Sequence, residues 1–200
     1  MIIGAGDVFP PKKHIDFKLV IAADGGYYKA KELGFQPDVV IGDFDSGSMP
    51  ADTEAFVVKL NREKDDTDML SAVKLGLRRG YREFAIYGGV GGRLDHTAAN
   101  FAVLRYLNNF DARGYLADEH SVSTVITDGK ITLPKNMSGT VSVFAYGGNA
   151  EGVTLKGLKY PLDDYTVTPD FPIGASNEKT AGAPAEINVK HGSLLIFLPR

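Results

Sequence analysis

Three acidic clusters in this 200-residue chain each follow an apolar run. Gly42-Asp43-Phe44-Asp45-Ser46 follows Val39-Val40-Ile41, and Lys64-Asp65-Asp66-Thr67-Asp68 follows the apolar stretch that ends at Leu60. Gly91-Gly92-Arg93-Leu94-Asp95-His96 follows Phe84-Ala85-Ile86-Tyr87 and a pair of glycines. An unpaired buried charge costs several kcal/mol, so carboxylates at the ends of buried strands do not serve to fill a core. They bind a metal or meet a charged ligand. Asp43 and Asp45 are two residues apart, so in extended backbone both point to one side and can share a hard cation. Oxygen-only ligands in a chain without cysteine favour magnesium over zinc. The plainer alternative is that either aspartate caps the following helix, since aspartate accepts from the free N–H groups of a first turn.

Gly88-Gly89-Val90-Gly91-Gly92-Arg93 leads towards a helix expected to begin near Asp95. Glycines let backbone N–H groups approach an anion, and a helix N-terminus adds partial positive charge. Arg93 can grip phosphate oxygens bidentately. The chain has no G-x-x-x-x-G-K-[ST], which excludes a P-loop protein. Gly4-Ala5-Gly6 is a lesser candidate for phosphate or nucleotide contact. His96 lies inside the glycine–arginine motif, and both ligand contact and helix-start packing suit it. His14, His120 and His191 have no acidic or histidine neighbour at ligand spacing and read as surface or loop residues. Tyr27 and Tyr28 read as packing residues, and Lys29, Lys31, Arg78 and Arg79 as solvated helix positions.

The elements that position these groups alternate. Residues 18–23 read as a buried strand, 25–33 as a short helix closed by Gly34, and 39–41 and 56–60 as further strands. From Thr67 to Arg79 the spacing of Leu70, Val73 and Leu77 predicts a helix stopped by Gly80, with Asp66 or Thr67 as its N-cap. A strand over 84–87 and a helix over 95–107 follow. Such alternation predicts parallel strands with helices on both faces, a mainly parallel Rossmann-like sheet. In an open parallel sheet ligands bind beyond the carboxyl ends of the strands. Asp24, Asp43, Asp45, Asp65, Asp68 and the glycine loop all fall at such ends and gather on one rim. After about Asn109 the pattern becomes all-β. Asp128-Gly129-Lys130 between residues 122–127 and 131–133 reads as a hairpin turn. Further short strands are expected over 140–146, 152–155 and 193–198, giving a sandwich or small barrel. The boundary divides the chain into residues 1–113 and 114–200.

Apolar residues make up 44% of the chain and charged residues 24%, ordinary values for a globular protein. A net charge of −3 speaks against a large nucleic-acid surface. The absence of cysteine excludes disulfides, a thiol nucleophile and cysteine-ligated zinc, and is compatible with a cytoplasmic setting. Met1-Ile2-Ile3-Gly4-Ala5-Gly6 is too short and uncharged to be a signal peptide. No apolar stretch approaches the roughly 20 residues that span a bilayer. The expectation is a soluble protein without membrane or nucleic-acid partners.

Taken together, Ala23-Asp24-Gly25-Gly26, Gly42-Asp43-Phe44-Asp45-Ser46, Lys64-Asp65-x-Thr67-Asp68 and Gly91-Gly92-Arg93-x-Asp95-His96 closely resemble the thiamine pyrophosphokinase family in order and spacing. Gly157-Leu158-Lys159-Tyr160-Pro161-Leu162 and Ser176-Asn177-Glu178 resemble that family's second domain. The resemblance implies an α/β N-terminal domain that binds ATP and magnesium, a β-sandwich C-terminal domain that binds thiamine, and a homodimer with active sites between subunits. It implies transfer of the pyrophosphoryl group of ATP to the hydroxyl of thiamine, with release of AMP. Carried onto this chain, Asp43, Asp45 and Asp68 hold Mg2+, and Asp24 and Asp65 complete the acidic rim. Gly91, Gly92, Arg93, Asp95 and His96 bind ATP, while Asp68, Ser176 and Asn177 approach thiamine. Asp65 and Asp68 are both candidates for the base. Some members place a tryptophan near thiamine; this chain has none, and Phe171 or Tyr165 is the available substitute.

Two other classes compete. Haloacid-dehalogenase-like phosphatases also use Asp-x-Asp after an apolar strand, but here Gly47 stands where they usually carry threonine or valine, and the strand is not the first. They would release phosphate from phosphoesters without an acceptor. A nucleotide-sensing module would bind ATP without turnover and tolerate loss of Asp43 or Asp45.

Overall fold

The computed structural model describes residues 1–12, 15–44 and 53–200. His14 and the Asp45-Ser46-Gly47 segment lie outside the described residues. The chain forms two compact units, Met1–Glu119 and His120–Arg200.

The first unit contains β1 (Ile2–Ile3), β2 (Ile21–Ala23), α1 (Gly26–Glu32), β3 (Val39–Gly42), β4 (Phe56–Lys59), α2 (Asp68–Arg78), β5 (Glu83–Tyr87), α3 (Leu94–Asn108) and β6 (Arg113–Ala117). Its strands lie in the order β6-β5-β1-β2-β3-β4. Every pairing within this run is parallel. β1, β2 and β3 are wholly buried, as their unbroken Ile, Val and Ala runs require in a parallel sheet covered by helices. β4 is the exposed edge, with Phe56 at 65% exposure. The chain fills the sheet from β1 to β4, then returns to place β5 against the other side of β1. The reversal opens a crevice beyond the ends of β1 and β5, where such sheets bind ligands. Residues 113–117 form β6 and belong to this first unit, because they pair with β5.

The helix expected over residues 67–79 forms as α2, but its buried stripe is Met69, Ala72, Val73 and Gly76 rather than Leu70, Val73 and Leu77. Gly76 explains the rotation: a Cβ there would strike the Phe84 ring, so the bare backbone face lies against β5. Thr67 is the cap, its Oγ1 accepting from Leu70 N at 3.1 Å. Gly34, with φ of +77°, lies just past α1, and Gly80, with φ of +86°, just past α2.

The second unit contains β7 (Ser121–Thr127), β8 (Lys130–Leu133), β9 (Gly139–Ala145), β10 (Ala150–Lys156), β11 (Leu162–Val167), β12 (Asn177–Lys179), β13 (Ala185–Asn188) and β14 (Ser193–Pro199). One antiparallel run has the order β12-β9-β14-β7, the other β11-β10-β13-β8. A single buried cluster, including Ile126, Val143 and Ile196 from the first and Leu133, Leu155 and Ile187 from the second, joins them. The expected hairpin across Asp128-Gly129-Lys130 does not form. β7 pairs with β14 and β8 with β13, so the turn carries the chain from one sheet to the other. Asp128 takes φ of +44° and accepts from Gly192 N at 2.8 Å, which ties the crossing to the start of β14. No helix among the described residues is long and apolar enough to cross a membrane.

At Gly26 a Cβ would collide with the Ile3 carbonyl oxygen, whereas at Gly34 the space is open and only the positive φ opposes a side chain. Gly26→Ala is therefore expected to lose about 3 kcal/mol, the upper end of overpacking costs, and Gly34→Ala about 1 kcal/mol. Urea denaturation of both variants checks this order; equal losses would contradict it.

Candidate active site

Asp24 follows β2 directly and takes φ of +47°, with its N–H donating to Ile41 O at 2.8 Å. Aspartate tolerates this left-handed backbone better than bulkier residues. Gly42 makes room for it: a Cβ at residue 42 would sit 3.1 Å from Asp24 Cα. Asp43 follows β3, and Asp68 opens α2 directly after the Thr67 cap. Carboxylate oxygens of Asp24, Asp43 and Asp68 all lie within 4.8 Å of one another. Strand ends and one helix start thus bring together groups that are 19 and 25 residues apart in the chain.

Lys64 joins them. Its Nζ donates to Asp43 Oδ2 at 3.0 Å and lies 3.0 Å from Asp68 Oδ1. The second contact is an ion pair without hydrogen-bond alignment, so the buried Asp68 Oδ1 has no hydrogen-bond partner. Burial pushes the Asp68 carboxyl above the ordinary aspartate range; Lys64 pulls it down, and Asp43 and Asp24 push it up again. Burial works against the Lys64 charge, but the neighbouring Asp43 and Asp68 carboxylates outweigh it and the lysine pKa lies above its usual value.

Asp66 accepts both of its bonds from Lys74 Nζ, at 2.7 and 2.6 Å. Asp65 is exposed and is not among the clustered carboxylates. Asp45 lies outside the described residues. The clustered oxygens suit a hard divalent cation, because magnesium takes carboxylate oxygens and keeps several waters. Asp68 Oδ1, ion-paired to Lys64 but without a hydrogen bond, keeps acceptor capacity for such an ion.

The glycine segment after β5 lies against the segment after β1. Gly4 N donates to Tyr87 O at 2.8 Å, Gly6 N to Gly88 O at 2.9 Å and Asp7 N to Val90 O at 2.9 Å. A Cβ on Gly4, Gly6 or Gly88 would strike the opposing carbonyl, so Gly4-Ala5-Gly6 is the packing partner of the loop. Buried Asn100 of α3 fixes it from below, donating from Nδ2 to Gly89 O at 2.7 Å. Gly91 and Gly92 take φ of +85° and +68°, and residues 91–96 are all exposed. Arg93 is engaged by its neighbour: Nε and an Nη donate to the two Asp95 oxygens at 3.2 and 2.6 Å. Those bonds hold the Asp95 carboxyl below its usual range. His96 is exposed at the first turn of α3.

In the second unit Ser176 is exposed with φ of +54°, its N–H donating to Ser142 Oγ at 3.0 Å. Asn177 is buried, and its amide is committed within the unit. Oδ1 accepts from Tyr160 N at 3.0 Å and Glu178 N at 2.8 Å, and Nδ2 donates to Tyr160 O at 2.7 Å. Phe171 and Tyr165 are exposed, at 58% and 40%. His120 and His191 are exposed as well.

Lys64 and Asn100 carry parts of this site that their residue types did not announce. Lys64 heads the Lys-Asp-x-Thr-Asp motif without a role attached. Asn100 was visible only as a polar residue on the buried stripe of α3 with Val103, Leu104 and Leu107. Asn100→Leu leaves the Gly89 carbonyl without its buried donor and is expected to cost about 1–3 kcal/mol. Amide exchange across residues 88–92 should accelerate in that variant; unchanged protection would contradict the anchoring role.

The catalytic-domain model of the thiamin pyrophosphokinase family matches residues 13–116, and its vitamin B1 binding domain matches residues 129–194. Thiamin pyrophosphokinase 1 of Caenorhabditis elegans is 25% identical over 192 residues, covering 90% of this chain and 78% of that protein. Thiamine pyrophosphokinase of Bacillus subtilis (strain 168) is 26% identical over 168 residues, covering 80% of this chain and 78% of that protein. The crystal structure of the Bacillus subtilis thiamine pyrophosphokinase superposes with a TM-score of 0.85 at 23% identity, covering 99% of this chain and 97% of that one. The chain belongs to the thiamin pyrophosphokinase family, and as a member it is an enzyme that transfers pyrophosphate to thiamine.

Proposed function

We propose that the pyrophosphoryl donor is ATP, that AMP is the leaving product, and that Mg2+ assists the transfer. The observation that carries this reading is the convergence of Asp24, Asp43 and Asp68 within 4.8 Å, at the carboxyl ends of a sheet whose β1–β5 crevice is lined by glycines. Asp24, Asp43 and Asp68 hold the cation, with Asp45 beside them in sequence. When bound, Mg2+ neutralises phosphate charge and orients the phosphates.

The chain's own groups do the rest. The amides of Gly91 and Gly92, presented by positive φ, face the phosphates, and the start of α3 favours their charge. Arg93 leaves Asp95 to meet phosphate oxygens, while Asp95 and His96 complete the nucleotide contacts. The thiamine hydroxyl attacks the β-phosphorus and AMP leaves in line, a transfer governed by position and charge neutralisation. Of the candidate bases, Asp68 stands inside the cluster, whereas Asp65 is exposed. The acidic rim also suits the thiamine cation.

The first unit reads as a Rossmann-like ATP domain and the second as a β-sandwich that receives thiamine. The enzyme acts as a cytoplasmic homodimer in which the partner subunit's Ser176 approaches thiamine. Asn177, whose amide clamps Tyr160, shapes that corner from within. Phe171 or Tyr165 supplies the aromatic face in a chain without tryptophan.

Asp43→Asn and Asp68→Asn should each cut turnover by roughly 100-fold or more, the scale on which loss of one charge-stabilising group acts. Circular dichroism should stay native, and EDTA should silence the wild type. Wild-type-like turnover in either variant would overturn the cation assignment.

A further inference from the structure

A lysine already pairs with carboxylates that would hold the cation. Lys64 Nζ is 3.0 Å from Asp43 Oδ2 and 3.0 Å from Asp68 Oδ1, and its side chain is only 18% exposed. Those are two of the three carboxylates whose oxygens converge. An ammonium bonds such oxygens at about 2.7–2.9 Å, and magnesium binds them at about 2.0–2.1 Å. Lys64 takes up acceptor capacity on two of the three carboxylates, and its charge repels a divalent cation held beside it, so the two compete for the cluster.

We propose that Lys64 is the built-in counter-ion of the empty metal site, released when the divalent cation arrives. The inference rests on the cation reading above. A lysine suits the task because its compact charge rides on a flexible four-carbon stem, so it can leave without moving the backbone. Its position helps: Lys64 lies between β4 and α2, four residues before Asp68 at the start of that helix. Displacement lowers the affinity of the site for free metal below what three carboxylates alone would give. A metal that arrives with phosphate brings anionic oxygens for the displaced ammonium, so the two ligands favour each other's binding. The site is thereby biased against bare metal and towards the metal–nucleotide complex.

The test is Mn2+ binding to the nucleotide-free full chain, followed by the electron paramagnetic resonance of free Mn2+. Lys64→Met should bind Mn2+ about tenfold more tightly than the wild type, a typical coupling between sites, and Lys64→Arg should stay near the wild type. The gain in Mn2+ affinity caused by ATP should shrink in Lys64→Met. Lys64→Gln carries the same expectation should Lys64→Met not fold. Equal or weaker Mn2+ binding in the neutral variants would overturn the proposal. Asp43→Asn separates the two levels of the argument. If it abolishes Mn2+ binding while Lys64→Met changes nothing, the counter-ion role fails alone. If Asp43→Asn leaves Mn2+ binding intact, the cation reading fails and this inference with it.

Discussion

Mutual repulsion among Asp24, Asp43 and Asp68 is the constraint on which the first unit depends. Two carboxylates at 4.8 Å repel by about 3 kcal/mol at an effective dielectric of about 20. No packing gain requires that arrangement, so the surrounding structure must hold it. The left-handed Asp24 backbone, the bare Gly42 beneath it and the Thr67 cap under Asp68 are the local devices that do so. Lys64 offsets part of the repulsion, and Asp68 Oδ1 still lacks a hydrogen bond. A site in this condition favours further positive charge.

The opposite demand is met in the crevice between β1 and β5. There the backbone of residues 4–7 hydrogen-bonds that of residues 87–90 so closely that Gly4, Gly6 and Gly88 leave no room for a Cβ. Asn100 locks the loop from α3, and Gly91 and Gly92 turn outward beyond it. The acidic ends of β2 and β3 and the glycine ends of β1 and β5 therefore share one sheet's carboxyl edge.

Much of this was legible in the residues. Aspartates directly after buried strands are costly enough to mark a site for a metal or a charged ligand. The glycine loop showed where backbone replaces side chain. What stayed hidden was set by tertiary packing. Gly76 turned the α2 stripe from Leu70 and Leu77 to Met69 and Ala72, because Phe84 of the following strand lies against the helix, a contact that helical periodicity does not carry. Asp128-Gly129 has hairpin chemistry, yet Gly192 captured it and β8 found β13. Asp65 and Asp68 are indistinguishable as a motif; only the helix start decides which one enters the cluster. Asn177 has the composition of a ligand contact, but the Tyr160 backbone occupies its amide.

The most direct measurement is product analysis after incubation of the protein with ATP, magnesium and thiamine. Transfer by attack on the β-phosphorus predicts AMP and thiamine diphosphate in equal amounts. Formation of ADP with thiamine monophosphate would contradict it.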